Sequence, residues 1–542
     1  MQYKKSSIKP YFILVLATIL LYVWQLHLYP MINPDGVIYI QAAAAYLKGG
    51  MQSAVAVNAQ ARWPFYSMLI AGVYSLTGLT MFAAERVLDV TLICVSAGFF
   101  LFLVSLFSRH RHAAWWAILI WLTYHSYIKW WPVVVRDHGF VTCLLMSFFC
   151  YYRYTLTYRF FWALAWTVSI ILAEFFRIEA MLYLLLIPFS IFFVKNITLK
   201  QKIVYWLKLN VLTLVAGICI AMLFANKTLT SDSLRFGYMW QEFSLFFSTM
   251  SNGFIQRYQI IRHSIFYQEN DFAVYVLLFS YMLVFVSYVV SQVSLAAVFP
   301  LLFIKDAWRK LDNNMWRQSF PIYLTVTCCI PLFFFVEHVF LNGRYLVPLG
   351  IFILLFIASV LPHIVESLCG RKKMLVVGLM SILFAVNLIA SLFHFGHANR
   401  DEFVMGQWLK ERYPNKTIFT NNKGILFHDS SSPDYQNGAV REIWVKGNED
   451  SKALWFRKND VWCQYDFLVL VVPVERMEQQ SKLFIELQNQ NAIGSVIKRY
   501  KRKFHGEYIV VAPIFSQGCR AMIEADRDRS RSISKRNMLV NT

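Results

Sequence analysis

Ionisable side chains collect where long apolar runs end. Asp35, Glu85, Arg86, Arg136, Asp137, His138, Arg177, Glu179, Glu337, His338 and Arg344 all stand at such ends. Each has an ordinary explanation: Asp35, in the Pro34-Asp35-Gly36 turn, can cap the short helix expected over Tyr39 to Leu47, and acids beside arginines can simply pair. A set of ionisable groups gathered at one face of a helical bundle points instead to a site. Transfer of a group from a lipid phosphate would use both signs of charge there. A carboxylate can take the proton from an acceptor hydroxyl. Carboxylates can hold a divalent ion against a departing phosphate. Arginines can grip a phosphate through two parallel hydrogen bonds.

The elements that would carry these groups are membrane spans. The 542 residues are 58% hydrophobic and 17% aromatic. Apolar runs of roughly 20 residues recur, each closed by charges, as in a polytopic α-helical membrane protein. The first run is long and lacks a small-residue cleavage site, so no cleavable signal is expected. The net charge of +21 does not imply nucleic acid, because most basic residues fall in short loops between the runs.

Lys4, Lys5 and Lys9 place the N-terminus in the cytoplasm by the charge rule. Spans are read at about 11–29, 86–107, 113–131, 139–152, 160–175, 179–194, 209–225, 273–304, 319–336, 345–362 and 374–394, about eleven in all. The spans 86–107 and 374–394 read as nearly free of charge. Trp63 to Phe82 is long enough to cross, but crossing would invert every later basic loop, so this piece of the first outer loop (30–85) is read as interfacial or re-entrant. Lys129-Trp130-Trp131-Pro132 reads as an aromatic belt, and 226–272 as a large outer loop. On this topology the candidate groups share the outer face.

Residues 1–395 thus form the membrane domain. Beyond it, 396–524 reads as a small extracytoplasmic α/β domain, with a helix over Phe403 to Arg412, strands at Thr417 to Thr420, Phe467 to Val472 and Tyr508 to Ala512, and a helix over Met477 to Gln490. Residues 525–542 read as a disordered, charged tail. Of nine cysteines, six lie in apolar runs and Cys369 at a membrane edge; Cys463 and Cys519 fall in the C-terminal domain, where spacing leaves their pairing open.

The order of short motifs carries a resemblance. An Asp in the first outer loop (Asp35) is followed by Arg62-Trp63-Pro64-Phe65-Tyr66, then Glu85-Arg86, Arg136-Asp137-His138, Arg177-Ile178-Glu179-Ala180 and Arg344-Tyr345-Leu346-Val347-Pro348. This resembles the GT-C membrane glycosyltransferases, in particular the bacterial group similar to protein O-mannosyltransferases and the lipid A aminoarabinose transferase. The resemblance implies a polyprenyl-phosphate-linked sugar donor, a lipid, glycan or protein acceptor, and a site at the extracytoplasmic face of a bacterial inner membrane. It implies catalytic carboxylates at Asp35 and Asp137, and a divalent metal ion at Glu85 with Asp35 or Asp137. Substrate-binding roles fall to Arg86, Arg136, His138, Arg177, Glu179, His338 and Arg344, the last as a donor-phosphate contact; for His138 a role orienting a neighbouring site group and a role as metal ligand are both open as well. The first loop has a single Asp where protein mannosyltransferases carry Asp-Glu, which weighs against protein mannosylation. Two other functions compete. A transporter of a lipid-linked sugar would show repeated halves and polar groups at mid-membrane; an assembly factor would leave the acidic set without a use.

Overall fold

The computed structural model describes residues 8–57, 64–108, 110–194, 197–225, 235–264, 272–293, 298–303, 319–393, 400–414, 416–420, 422–429, 461–473, 485–501, 507–525 and 528. It is a polytopic helical membrane protein with a small C-terminal α/β domain. The chain divides into two compact units: Met1–Leu28 with Ala42–His394, and Tyr29–Gln41 with Phe395–Thr542. The segment around Asp35 therefore belongs with the C-terminal residues. The expected tail falls almost wholly outside the described residues, as do Arg62 and Trp63.

In the first unit the helices are α1 (Lys9–Leu28), α2 (Pro34–Val57, entering from the other unit), α3 (Phe65–Thr77), α4 (Met81–Ser108), α5 (Ala113–Leu122), α6 (His125–Ile128), α7 (Asp137–Thr157), α8 (Phe160–Phe176), α9 (Ala180–Leu186), α10 (Leu199–Ala225), α11 (Arg235–Ser264), α12 (Ala273–Val293), α13 (Phe320–His338), α14 (Gly343–Ser367) and α15 (Gly370–Leu392). Among the described residues six of these, α1, α4, α12, α13, α14 and α15, are long and apolar enough to cross a membrane. At 13 residues α3 is too short to cross on its own.

Several expectations give way to local chemistry. The run 113–131 is broken at Thr123, after which the short α6 follows. The run 179–194 tightens into a 3-10 turn over Ile187–Phe193, where Pro188 removes a backbone donor. The expected outer loop 226–272 contains the 30-residue α11. The expected single span 273–304 ends at Val293, and Pro300 lies in a separate 3-10 turn over Phe299–Phe303.

The centre of this unit is built on α14, buried along most of its length. Phe148 on α7 packs edge-on against Tyr323 and Phe352. Two hydrogen bonds in this aromatic core pair buried polar atoms, as an apolar surround favours. Trp166 Nε1 donates to Tyr323 Oη at 2.6 Å, and Tyr183 Oη donates to Thr327 Oγ1 at 2.7 Å. Two glycines permit the close approach of neighbours: a Cβ at Gly350 would meet the Tyr124 hydroxyl at 1.9 Å, and one at Gly139 would meet the Phe176 ring at 2.2 Å.

The second unit carries α16 (Arg400–Arg412), β1 (Ile418–Thr420), α17 (Lys423–Asp429), β2 (Phe467–Pro473), β3 (Lys498–Lys501) and β4 (Glu507–Pro513). The sheet order is β1-β2-β4-β3, with β1 parallel to β2 and the other pairs antiparallel. β2 is apolar throughout and β4 is apolar from Ile509 onward, because both faces are covered there. Leu468, Leu470, Val510 and Ala512 pack with Trp462 and Ile523 on one face; Val469, Ile509 and Val511 pack with Met405 and Leu409 of α16 on the other. Asp466 fastens the start of β2 to β1 by accepting from Thr417 N at 2.8 Å and pairing with Lys416 at 3.0 Å. Cys463 and Cys519 form a disulfide, with Cα atoms 5.6 Å apart.

Candidate functional site

In the first unit the candidate residues fall into two networks that meet at the N-terminus of α7. Helix α8 ends at Phe176 and α9 begins at Ala180, so Arg177 and Glu179 occupy the break. The Arg177 guanidinium bonds the Asp137 carboxylate on one side and on the other holds Glu179 Oε1 at 2.6 Å. Arg177 and Asp137 are buried, at 5% and 8% exposure. Arg136 acts on Glu179 electrostatically. The Arg177 guanidinium also lies 4.4 Å from the Tyr345 ring centroid, and that of Arg344 5.5 Å from the same centroid. Tyr345 stacks on Phe334 at 4.3 Å, and Phe334 on the His338 imidazole at 4.3 Å. His338 thus reaches Arg177 through two aromatic rings, while its Nδ1 lies 3.3 Å from Glu337. Phe140, Arg177, Glu179, Tyr183, Thr327 and Tyr345 are among the residues lining a narrow recess here.

The second network runs along the first turns of α4. Tyr66 Oη lies 3.1 Å from Glu85 Oε1 and 2.7 Å from Asp89 Oδ1. Arg86 pairs with Glu85 at 3.4 Å, donates to the Pro132 carbonyl at 2.6 Å and stacks over Phe82. Asp89 Oδ2 is 3.8 Å from His138 Nε2, and the other ring nitrogen of His138 bonds the Tyr127 hydroxyl at 3.2 Å. Glu85, Asp89 and His138 are fully buried. Adjacent residues of a helix point in different directions, and so Asp137 serves the first network while His138 serves the second.

Asp89 is the member that the sequence reading missed. The run 86–107 reads as nearly free of charge, yet Asp89 lies four residues after Glu85 on the same helix face. An ionisable residue inside an apolar span is itself the signal that could have found it.

Among the described residues no group of three or more His, Cys, Asp or Glu side chains could hold a metal ion. Asp137 is engaged by Arg177, and Glu85 by Arg86 and Tyr66. These side chains are placed for ion pairing and hydrogen bonding.

Asp35, in the second unit, lies half-buried in the first turn of α2. Three residues before it, the Ile32 N–H donates to Nε2 of His428 on α17 at 3.3 Å. Burial pushes His428 down from 6.5 to about 4, so at neutral pH the ring is uncharged and can accept that bond. The consequence for stability has a definite sign. The unfolded chain takes the proton first as pH falls, so this contribution is complete above about pH 6.5 and is lost from there down to about pH 4. The full difference is about 3 kcal/mol. Thermal unfolding of the C-terminal unit followed across that range should show the loss, and His428→Gln should flatten it; an unchanged slope in the variant would assign the effect to another group.

Neither family models nor curated protein sequences match the chain. Among solved structures, the chain is similar to the "Crystal Structure of ArnT from Cupriavidus metallidurans bound to Undecaprenyl phosphate", at 12% identity and a TM-score of 0.48, over 94% of this chain and 98% of that one.

Proposed function

We propose that this protein is an integral-membrane glycosyltransferase that moves a sugar from a polyprenyl-phosphate donor to a lipid, glycan or protein acceptor at the extracytoplasmic membrane face. The observation that carries the reading is the gathering of three guanidinium groups in the first network. Arg136 acts on Glu179, Arg177 is held by Asp137 and Glu179, and Arg177 and Arg344 both lie against Tyr345. Their planar forks suit a phosphate. Charges in a hydrocarbon surround are costly, which favours a lipid-anchored phosphate as the partner at a membrane boundary. Undecaprenyl phosphate, named with the similar ArnT structure, is of that class. The disulfide supports a non-cytoplasmic position for the C-terminal unit, because structural disulfides persist in oxidising compartments. A bacterial inner membrane fits this.

Asp35 is the proposed base for the acceptor hydroxyl, while Asp137, held by Arg177, orients the arginine. Two results test this. In purified protein, Asp35→Asn should leave the thermal unfolding midpoint near wild type and lower transfer from a polyprenyl-phosphate sugar by about 100-fold or more; ordinary transfer by this variant would remove Asp35 from catalysis. Arg344→Lys should raise the apparent KM for the donor lipid by an amount corresponding to about 1–3 kcal/mol, the worth of a lost charge-assisted hydrogen bond. Equal donor affinity in the lysine variant would take Arg344 out of the phosphate contact.

A transporter of lipid-linked sugar is the second reading, favoured by the buried Tyr66–Glu85–Asp89–His138 network. Those acids fall in the first third of the 28-residue α4, toward one end of the helix. Transport sites favour mid-membrane. Sugar transfer in detergent solution, where no second compartment exists, separates the two.

A further inference from the structure

The segment that carries Asp35 is grouped with residues 395–542, more than 350 positions away in sequence. Its contact with α17 is specific. Ile32 is 1% exposed, and its N–H donates to His428 Nε2. That N–H precedes α2 and would otherwise be a buried donor without a partner in the helix. The imidazole is itself held in place: its ring meets Phe403 of α16 edge-on at 4.8 Å and Phe427 at 5.3 Å, and the residue is 7% exposed. Tyr29, Met31, Val37 and Ile40 around the contact are buried as well. Between Ile32 and Asp35 stand only Asn33 and Pro34. The proline ring fixes its own φ, and the residue before a proline is confined to extended backbone, so this link has little freedom. Val37 N then bonds the Asn33 carbonyl at 3.1 Å and starts the helix. Whatever fixes the Ile32 backbone thus fixes the direction in which α2 begins, and with it Asp35.

We propose that His428 is a positioning residue for Asp35: the C-terminal unit grips the Ile32 backbone through this imidazole and sets the carboxylate three residues on. The role rests on the reading of Asp35 as the base. It gives residues 395–542 a part in the reaction without placing any of their side chains on the substrate. Ile32 offers a main-chain donor, so the interaction asks only that position 428 present an acceptor at the right reach. Glutamine can carry its amide oxygen to about the place of Nε2; leucine presents no acceptor, and asparagine is too short.

The test uses the full-length protein in detergent micelles with three variants, His428→Leu, His428→Asn and His428→Gln. Hydrogen exchange of peptides within 29–41 reads the grip, and steady-state transfer reads its consequence. The leucine and asparagine variants should exchange this segment at least tenfold faster and lose at least tenfold in kcat with the donor KM unchanged. The glutamine variant should restore both toward wild type. Should the leucine variant fail to fold, the asparagine variant carries the comparison with glutamine. Unchanged exchange in the folded acceptor-lacking variant overturns the grip. Faster exchange with unchanged kcat, alongside an Asp35→Asn protein that has lost transfer, overturns positioning while leaving Asp35 as the base. An Asp35→Asn protein that transfers normally, with exchange still accelerated in the His428 variants, overturns the catalytic reading of Asp35 and with it the positioning role, and leaves only the mechanical contact.

Discussion

Replacing Arg177 with methionine should destabilise the membrane unit by about 3–5 kcal/mol and abolish transfer, because removing one partner of a buried ion pair strands the others. Arg177 is flanked by Asp137 and Glu179, with Tyr345 stacked against the guanidinium. Methionine fills much of the volume but leaves two carboxylates facing each other across it. Adding Asp137→Asn and Glu179→Gln removes the stranded charge, so the triple variant should recover most of the unfolding midpoint. Transfer should not return, since the Arg177 guanidinium that would meet a donor phosphate is gone. Thermal unfolding in detergent and transfer assays on the single and triple variants separate the two effects. A single variant of ordinary stability would mean that the Asp137–Arg177–Glu179 cluster is not made; a triple variant that regains transfer would make the cluster purely structural.

The second large effect concerns the C-terminal unit. The Cys463–Cys519 bond closes a loop of 56 residues. On the chain-entropy account such a loop stabilises by about 4 kcal/mol, a large share of the 5–15 kcal/mol available to a typical domain. Both cysteines are buried in the core formed by Trp462, Leu468, Ala512 and Ile523. Cys463→Ala with Cys519→Ala should therefore lower the midpoint of this unit sharply while the membrane helices keep theirs, so that one unfolding transition separates from the other. Circular dichroism and protease sensitivity across a temperature ramp would show it. Coincident transitions in the double variant, at the wild-type temperature, would mean that the bond contributes little.

How much of this was legible in the sequence depends on which interaction decides each feature. Apolar length revealed the membrane class, since burial in lipid is a property of each run by itself. The residues of the Arg177 cluster were legible as a set, because charges at helix ends declare themselves. Their pairing was not: Asp137 and Glu179 both lie near arginines in sequence, and only the break between α8 and α9 aims Arg177 at both. Helix α11 read as a loop because it is amphipathic and polar, and its Arg257 is satisfied by the carbonyls of Val336 and Glu337, which sequence cannot show. β3 was passed over since Lys498, Arg499 and Lys501 mask a strand that needs only β4 beside it. The bond between Ile32 and His428 joins positions 396 apart, and a backbone donor has no residue type to betray it.

The order of synthesis gives the Tyr66–Asp89–His138 network a further meaning. Tyr66 on α3 is made before α4, whereas His138 follows Asp89 by 49 residues. An acidic side chain inside a span resists insertion by about 2.5–3.5 kcal/mol at the helix centre, and Asp89 enters with its phenol partner already on the nascent chain. At the usual pace of translation the imidazole arrives about 2–10 s later. For that interval the half-made protein holds a buried acid that has its phenol partner but not yet its imidazole, and the arrival of α7 completes the set.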